Sequence, residues 1–339
     1  MNYVDKEPLV RETPECKELL LEAMRYHLMP EHRGSLTSYR TSHRQPEGTK
    51  PYLFAIGGGS LFAIHSECEV YNPRTDRWSF IASMNTRRSR TAVATVGNLL
   101  YAVGGFDSTN DLASAECFNP QINKVNYNQA INSNYISIKT YTLQWTEITP
   151  MGTKRSCLGA CTLDGLIYCC GGYDGQSCLA TVERYDPLNG VWTSCPAMNT
   201  RRRYCRIAVL DNCIYALGGF DSNNYQSSVE RLDARMGKWV PVPSMTSRRS
   251  SCGVAAMGDY LYCVGGNDGT MCLQTGEKFC PRRNSWEPIS NMHSRRSTHE
   301  LCHIDGMLFS IGGNDGSSSL NSIEVGKVKF YFWPFGSKN

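Results

Sequence analysis

The 339-residue sequence has no apolar run of about 18 residues, and no basic segment followed by an apolar stretch at its N-terminus. These absences argue against a membrane-spanning helix and a secretory signal peptide, so we expect a cytoplasmic protein without a membrane partner. The net charge is only +4, which by itself does not indicate a nucleic-acid partner. An apolar content of 41% is sufficient for a buried core.

Motifs of enzymes and metal sites are also scarce. The 16 cysteines include no C-x-x-C pair, which weakens the case for a structural zinc site. In a long chain without a signal peptide, they are expected to be reduced, small apolar residues of the core. No P-loop and no supported Ser-His-Asp arrangement occurs. We therefore predict a non-catalytic protein with no cofactor and no bound metal.

A repeat of 47 residues organises the sequence. Paired glycines recur in steps of 47, 67, 47, 47 and 47 residues, at Gly57/Gly58, Gly104/Gly105, Gly171/Gly172, Gly218/Gly219, Gly265/Gly266 and Gly312/Gly313. Tryptophans recur in the matching steps, at Trp78, Trp145, Trp192, Trp239 and Trp286. The one longer step identifies a 20-residue insertion in the second repeat.

Each repeat has the pattern of four short β-strands. From Ser250 to Met292, short apolar runs are separated by a Gly-Asp turn, a glycine pair and a proline. Short strands with regularly spaced turn signals indicate an all-β fold, and six repeats of four strands predict a six-bladed β-propeller. The glycine pair is expected to permit close backbone approach, and the tryptophan to pack between blades.

The stretch HELCH, from His299 to His303, matches the H-E-x-x-H zinc-protease motif, which needs two histidines one helical turn apart. The repeat phase instead aligns it with Cys252 to Ala256, the first strand of the preceding blade. Residues i and i+4 of a strand are about 13 Å apart, whereas one zinc ion needs nitrogens at about 2.1 Å. We therefore predict a strand here and no zinc site.

The insertion occupies Val125 to Gln144, and its removal joins Lys124 to Trp145 and restores the repeat. Two explanations remain open. The segment begins with a Val codon, which starts GT, and ends with Gln, which CAG encodes, so it fits a translated intron. It also fits a surface loop, because the cost of closing a loop grows slowly with its length.

The sequence resembles the kelch-repeat family over about residues 50 to 325, in its glycine pairs, its stretch VERYDP (Val182 to Pro187), its spaced tryptophans and its M-x-x-R-R loops. Residues 14 to 33 are predicted as one amphipathic helix that resembles the tail of the BACK domain of Kelch-like proteins. Within that family, LFAIGGGSLFAIHSECEVYNPRTDRW resembles the actinfilin type. The predicted segments are a BACK tail at 1–33, a linker at 34–50, a propeller at 51–325 and an atypical tail at 326–339.

The resemblance implies a substrate adaptor of a cullin-RING ubiquitin ligase. In such proteins a BTB domain binds the cullin, and the propeller captures the protein to be ubiquitinated. The sequence has no BTB domain, so we expect it to carry the recognition half of a longer parent protein. Actin binding in a cytoskeletal scaffold is the alternative. Kelch enzymes with copper need a histidine pair and special tyrosines, which are not evident here.

Five basic loops share one repeat phase: NTRRS (Asn85 to Ser89), GTKRS (Gly152 to Ser156), NTRRR (Asn199 to Arg203), TSRRS (Thr246 to Ser250) and HSRRS (His293 to Ser297). Each links the last strand of one blade to the first strand of the next, so we predict all five on one face, where they attract an acidic partner. One arginine of each pair is expected to brace the blades by folding onto an in-phase glutamate. These glutamates are Glu69, Glu116, Glu183, Glu230 and Glu277.

By resemblance to the family, this face binds a protein with an acidic or hydroxyl-bearing segment. The binding residues so predicted are Ser89, Arg90, Phe106, Asp111, Ser156, Tyr173, Arg203, Phe220, Tyr225, Ser250, Asn267, Ser297 and Asn314. Aromatic and arginine side chains are typical of binding hot spots; the alternative is that the aromatic rings only pack their loops. Aspartates after the glycine pairs are expected to cap tight turns rather than bind calcium.

Both ends of the repeat array depart from the pattern. The first repeat starts at its second strand, YLFAIGG, and after Glu324 the expected Y-N/D-P is replaced by VGKVKFYFWPFGSKN. In the family a C-terminal strand completes the first blade, and none is evident here. We predict an imperfectly closed ring with exposed strand edges and reduced stability.

Overall fold

The computed structural model describes residues 13–35, 51–60, 63–120 and 144–327. Within these ranges the chain is a six-bladed β-propeller preceded by one short α-helix, which confirms the predicted fold class. The predicted insertion at 125–144 lies outside the described residues except for Gln144, and so does the tail after Lys327. The two explanations of the insertion therefore stay open.

Each blade is one antiparallel sheet. Blade one contains β1 (Leu53–Gly59), β2 (Ile64–Asn72) and β3 (Arg77–Ile81). Blade two contains β4 (Ala92–Val96), β5 (Leu99–Val103), β6 (Ala115–Phe118) and β7 (Thr146–Ile148). Blade three contains β8 (Gly159–Leu163), β9 (Leu166–Cys170), β10 (Val182–Asp186) and β11 (Val191–Cys195).

The last three blades repeat this order. Blade four contains β12 (Arg206–Leu210), β13 (Cys213–Leu217), β14 (Val229–Asp233) and β15 (Lys238–Val242). Blade five contains β16 (Gly253–Met257), β17 (Tyr260–Val264), β18 (Gly276–Cys280) and β19 (Ser285–Ile289). Blade six contains β20 (Glu300–Ile304), β21 (Met307–Ile311) and β22 (Ile323–Lys327).

Strands of a complete blade follow each other from the centre of the disc to its rim. The first strands pack against one another, β8 against β4 and β12, and β16 against β12 and β20. The second strand of blade three is fully buried, whereas its fourth strand is largely exposed. The hydrophobic cores lie between blades; one of them joins Tyr168 of blade three to Trp239 of blade four. Most of the sixteen cysteines are buried, and all are free thiols.

Both structural roles predicted for the repeat signature are confirmed. Gly105 has a φ of 98°, and a Cβ atom there would lie 2.7 Å from the carbonyl oxygen of Ser89, so only glycine fits. The indole of Trp192 donates to the carbonyl oxygen of Thr149 at 2.7 Å, and the indoles of the next two blades do the same. Each of these three tryptophans thereby ties the outer strand of its blade to the preceding blade.

The first and last blades have three strands each in the described part of the chain. Strand β1 contains the glycine pair Gly57/Gly58, which directly follows the second strand in the other blades, so β1 is the counterpart of a second strand. Among the described residues, blade one therefore has no inner strand and blade six has no outer strand. This agrees with the predicted imperfect closure, while the reduced stability expected from it stays a prediction.

The N-terminal helix is shorter than the predicted span of 14–33. Helix α1 covers Pro14–Leu28, and a 3₁₀-helix follows at Pro30–Ser35. The α-helix ends before Pro30 because proline has no N–H to donate and disfavours the α conformation in the residue before it. No residue of α1 is buried. The helices among the described residues are all too short or too polar to span a bilayer.

Candidate protein-binding face

Two sets of loops form one side of the disc, which we call the loop face. Because neighbouring strands of a blade run in opposite directions, connections between blades emerge on the same side as connections between second and third strands. The inter-blade loops are 82–91, 149–158, 196–205, 243–252 and 290–299. The loops within blades two to six are 104–114, 171–181, 218–228, 265–275 and 312–322. The prediction that the five basic loops share one face is confirmed.

Backbone bridges join the two loop sets in blades two to six. The predicted binding residues lie on these bridges, except for Arg90, which follows Ser89. The bridged sets are Ser89 with Phe106 and Asp111, Ser156 with Tyr173, Arg203 with Phe220 and Tyr225, Ser250 with Asn267, and Ser297 with Asn314. The structure thus brings the predicted residues together on the loop face. Their role in binding a partner stays a prediction.

The second basic residue of each inter-blade loop is a buried brace. The guanidinium of Arg202 donates from Nε and Nη2 to Oε1 of Glu230 at 3.2 and 2.9 Å. Its Nη1 donates to the carbonyl oxygens of Gly218 and Ser228 at 2.7 and 2.9 Å. The same ion pair recurs in the other four loops, as Arg88 with Glu116, Arg155 with Glu183, Arg249 with Glu277 and Arg296 with Glu324.

The bracing glutamate also holds the backbone of its loop. Oε2 of Glu230 accepts the N–H of Asn199 at 2.6 Å, and Oε1 accepts that of Thr200 at 3.1 Å. The predicted brace is therefore confirmed, with one correction: the fifth glutamate is Glu324 and not Glu69. Each loop braces onto the blade that it enters, and Glu69 lies in the first blade of the array.

The first basic residue of each inter-blade loop is exposed, in contrast to the brace beside it. These residues are Arg87, Lys154, Arg201, Arg248 and Arg295. Five exposed positive charges in a ring raise the local concentration of an acidic partner and its rate of association. These five charges remain on the loop face after the braces have been neutralised, and they lie beside the aspartates of the loops within the blades, Asp107, Asp111, Asp174, Asp221, Asp268 and Asp315.

Two further arginines, Arg90 and Arg203, lie over aromatic rings. The guanidinium carbon of Arg203 is 5.0 Å from the ring centre of Phe220 and 5.3 Å from that of Tyr173. The guanidinium of Arg90 is 5.6 Å from the ring centre of Phe106. Among the described residues, neither guanidinium has an ion pair, and the buried Nε of Arg203 has no hydrogen-bond partner. Both arginines therefore retain donors for a ligand.

Tyr204 and Cys157 are loop-face residues that the sequence reasoning missed. Each occupies the position in its loop that Arg90 occupies in the first one, so the repeat phase was the available signal. The guanidinium carbon of Arg203 is 5.6 Å from the ring centre of Tyr204, and the positive charges of Arg90 and Arg203 act to lower the pKa of both side chains. Burial raises the pKa of Tyr204 to about 12. The phenol is therefore a neutral hydrogen-bonding group beside the two arginines at physiological pH.

The same position links the blades through their backbones. The N–H of Cys157 donates to the carbonyl oxygen of Arg90 at 2.9 Å. The N–H of Tyr204 donates in turn to the carbonyl oxygen of Cys157 at 2.7 Å. Ser251 and Thr298 continue this chain of hydrogen bonds to blade six, at 2.8 Å each. All five residues have a positive φ, between 52° and 56°. The left-handed conformation costs about 1–2 kcal/mol per residue, which the hydrogen bonds help to offset, so the loop face is preorganised.

The loop face has an aromatic half and a polar half. Blades two to four carry Phe106, Tyr173 and Phe220 directly after the glycine pair, whereas blades five and six carry Asn267 and Asn314. The side-chain oxygens of these asparagines accept N–H groups within their own loops at 2.8 and 2.7 Å. Arg90 and Arg203 both stack on rings of the aromatic half, which concentrates the free guanidinium donors there.

The four predicted serines are buried. The hydroxyls of Ser89 and Ser250 donate to the carbonyl oxygens of Phe106 and Asn267, at 3.2 and 3.3 Å. The hydroxyl of Ser297 accepts the thiol of Cys272 at 3.3 Å. In this conformation the serine hydroxyls hold their loops together, so the arginines and aromatic rings are better placed for contact with a partner.

The aspartates that follow the glycine pairs cap their own turns. Oδ1 of Asp107 accepts the N–H groups of Thr109 and Asn110 at 2.8 and 2.7 Å. These hydrogen bonds lower the pKa of Asp107 below its usual value. The equivalent aspartates of blades three to six make the same pair of bonds. The predicted turn-capping role is therefore confirmed.

The stretch HELCH forms the start of a strand, as the repeat phase predicts. His299 immediately precedes β20, and His303 lies within it. Nε2 of His303 accepts the N–H of Gly306 at 3.1 Å. His299 is fully buried, and neither of its ring nitrogens has a hydrogen-bond partner among the described residues. Burial lowers the pKa of His299 to about 3, and the nearby Arg206 and Arg296 act in the same direction.

Acidification is expected to destabilise the propeller through His299. In the unfolded chain the imidazole has a pKa of about 6.5, so below that pH the unfolded state binds a proton that the folded state does not. The free energy of unfolding should therefore fall as the pH decreases from about 6.5 towards 3, by up to about 1.4 kcal/mol per pH unit. Urea denaturation at several pH values between 7.5 and 5 measures this slope.

A matched variant isolates the contribution of this histidine. Cys205 and Cys252 occupy the equivalent position in blades four and five, so His299→Cys introduces a residue that the repeat already tolerates. We expect this variant to lose part of the pH dependence between pH 6.5 and 5. An identical slope in wild type and variant would show that other groups control the acid sensitivity.

The fold and the loop face define the class of protein: a repeat-built propeller that presents a preorganised face of paired loops. A family model of the Kelch motif matches residues 49–85, 87–127, 154–199, 201–246, 248–293 and 295–325. The chain therefore belongs to the kelch-repeat family, whose propellers are protein-interaction modules.

Several curated relatives are Kelch-like proteins. Kelch-like protein 17 of Mus musculus is 59% identical over 98 residues, which are 29% of this chain and 15% of that protein. Kelch-like protein 28 of Homo sapiens is 35% identical over 181 residues, 50% of this chain and 28% of that protein. Kelch-like protein 3 of Danio rerio is 36% identical over 110 residues, 32% and 18% respectively. The chain thus matches less than a third of the length of each of these relatives.

Proposed function

We propose that the loop face captures an acidic segment of a partner protein. The observation that carries this proposal is the state of Arg90 and Arg203, which are stacked on aromatic rings and have no ion pair among the described residues. A guanidinium binds a carboxylate through two parallel hydrogen bonds. Stacking holds the guanidinium plane before the partner arrives, which reduces the entropy lost on binding.

A purely structural role for these two arginines has little support. Each inter-blade loop already has its own brace, in which a buried or partly buried glutamate neutralises a different arginine. At the position of Arg203, the other four loops carry serine, so the loop conformation does not need arginine there. Arginine and aromatic residues together are typical of protein-binding hot spots, which supports a protein as the partner.

Within a longer Kelch-like protein, we propose that this propeller is the substrate-recognition part of a cullin-RING ubiquitin ligase in the cytoplasm. Membership of the kelch-repeat family supports this assignment. A BTB domain of that longer protein would bind the cullin, so the role of the propeller is capture and not catalysis. Actin, or another cytoskeletal protein, is the alternative partner.

Affinity capture by the purified propeller, analysed by mass spectrometry, tests this function. Partners that wild type captures and Arg90→Ala/Arg203→Ala does not are assigned to the loop face. We expect such a partner to be ubiquitinated by a ligase reconstituted with the full-length parent protein. Cosedimentation with actin filaments, without any ubiquitinated partner, would favour the cytoskeletal alternative. Equal capture by both proteins would contradict the assignment of the face.

Raising the salt concentration is expected to slow capture. The Debye length falls from about 10 Å at 0.1 M salt to about 3 Å at 1 M, so the exposed basic ring attracts an acidic partner over a shorter distance. The association rate constant should therefore fall by roughly tenfold, with a smaller change in the dissociation rate. Surface plasmon resonance at both salt concentrations measures the two rates. An association rate that does not depend on salt would contradict electrostatic steering.

A further inference from the structure

The 3₁₀-helix after α1 is attached to the rim of blade three by a buried ion pair. The guanidinium of Arg33 donates to both carboxylate oxygens of Asp186, at 3.3 and 2.9 Å. Side-chain exposure is only 3% for Arg33 and 11% for Asp186, so the pair is shielded from solvent. Nε of Arg33 also donates to the carbonyl oxygen of Tyr26 in α1 at 2.8 Å, and the guanidinium lies 5.1 Å from the centre of the Tyr26 ring.

A second ion pair has the opposite polarity. Glu31 accepts from Nη2 of Arg184 at 3.3 Å. Arg184 and Asp186 are two residues apart in β10, so their side chains lie on the same side of the strand. Glu31 and Arg33 are also two residues apart. Along the chain, the acid Glu31 precedes the base Arg33, whereas the base Arg184 precedes the acid Asp186. The two complementary ion pairs therefore fix the alignment of the two segments and strengthen their contact.

Among the described blades, only blade three has an Arg-x-Asp pair whose aspartate is not already paired with an arginine of its own turn. Blade four has the same Arg-x-Asp pattern, but Arg235 occupies Asp233 there, with Nε 3.3 Å from Oδ1. Blade three has Leu188 at the position of Arg235. The remaining blades lack the pattern, since the residues aligned with Asp186 are Asn72, Asn119, Cys280 and Lys327. The 3₁₀-helix therefore pairs with blade three because of the residues in the turn between the third and fourth strands of that blade.

The contact lies on the side of the disc opposite the loop face. Asp186 ends β10 and begins the turn to β11, and turns between third and fourth strands emerge on the other side from the inter-blade loops. We propose that Arg184 and Asp186 form a docking surface for residues 30–33, which fixes α1 to the propeller on the side away from the loop face. The docked helix leaves the basic face uncovered, and it becomes a rigid extension of the disc.

Hydrogen exchange of the whole chain, followed by mass spectrometry, tests this docking. An undocked α1 of 15 residues is marginally stable in water, so its amides should exchange rapidly. Asp186→Asn removes the charge and keeps the turn, since Asn72 caps the same turn in blade one by accepting the N–H of Arg74 at 2.9 Å. We expect exchange in residues 14–33 to accelerate by about tenfold or more.

Asp233→Asn is the matched control, because it makes the same substitution at the aligned turn of blade four. It should leave exchange in residues 14–33 unchanged. Arg33→Met removes the other partner without touching blade three, and it decides the case if Asp186→Asn also loosens that blade. Unchanged exchange in residues 14–33 of Arg33→Met would overturn the proposal, and so would equal acceleration by Asp233→Asn and Asp186→Asn.

Discussion

Replacing Arg202 by alanine is expected to lower the free energy of unfolding by about 3–5 kcal/mol. The substitution leaves the carboxylate of Glu230, which is 3% exposed, without its countercharge in the interior. It also leaves the carbonyl oxygens of Gly218 and Ser228 without the donor that they share. Domains of this kind are stable by about 5–15 kcal/mol, so the loss is a large part of the total.

The adjacent Arg203 provides the matched control. Arg203→Ala removes the same side chain one residue further along the same loop, but no ion pair among the described residues is lost with it. We expect its effect on the free energy of unfolding to be below about 1 kcal/mol. Urea denaturation of both variants measures the difference. Equal destabilisation by Arg202→Ala and Arg203→Ala would contradict the division into bracing and free arginines.

Removing both charges of the brace is expected to restore part of the stability. In Arg202→Met/Glu230→Leu, neither ion remains buried without a partner, and apolar replacement of a buried ion pair is often close to neutral. The double variant should therefore be more stable than Arg202→Ala. The loop N–H groups that Glu230 holds at Asn199 and Thr200 still lose their acceptor, so full recovery is not expected.

The double substitution Arg90→Ala/Arg203→Ala is expected to weaken partner binding by at least about 100-fold, because each hot-spot arginine contributes roughly 2 kcal/mol or more. The fold should persist, since neither guanidinium takes part in a brace. Calorimetric titration with a partner identified by affinity capture measures the affinity, and thermal denaturation checks the fold.

A control on the opposite side of the disc separates local contact from net charge. Arg282 and Arg283 lie in the turn between β18 and β19, and both are exposed. Arg282→Ala/Arg283→Ala also removes two positive charges, and it should leave the affinity for the partner within about threefold of wild type. Undiminished binding by Arg90→Ala/Arg203→Ala, or equal losses in both double variants, would contradict a specific site on the loop face.

The repeat phase made much of this architecture predictable. A fixed 47-residue period converts sequence position into position on the disc, so the blade number, the shared face of the basic loops and the existence of a brace all follow from it. The strand at His299 to His303 was predictable for the same reason. The end of α1 before Pro30 was readable from the proline, although the predicted helix continued past it.

Other features depend on side-chain contacts, which the 47-residue repeat does not determine. Both positions are basic in all five inter-blade loops, so the repeated charge does not separate the braced Arg202 from the exposed Arg201. The reach of the Arg202 side chain to Glu230 separates them. Likewise, the burial of the serine hydroxyls depends on how each loop folds, which the repeat does not determine. The pairing of Arg33 with Asp186 joins residues 153 positions apart, and one of them lies outside the repeat array.

The most direct test of the central claim is site-specific photocrosslinking on blade four. A photoreactive phenylalanine analogue replaces either Tyr225, whose ring lies 5.0 Å from that of Phe220 on the loop face, or Met236, which is 79% exposed in the turn on the other side. If the loop face captures the partner, the partner crosslinks to position 225 and not to position 236. Crosslinking at position 236 alone would place the binding surface on the opposite side of the disc and contradict the account.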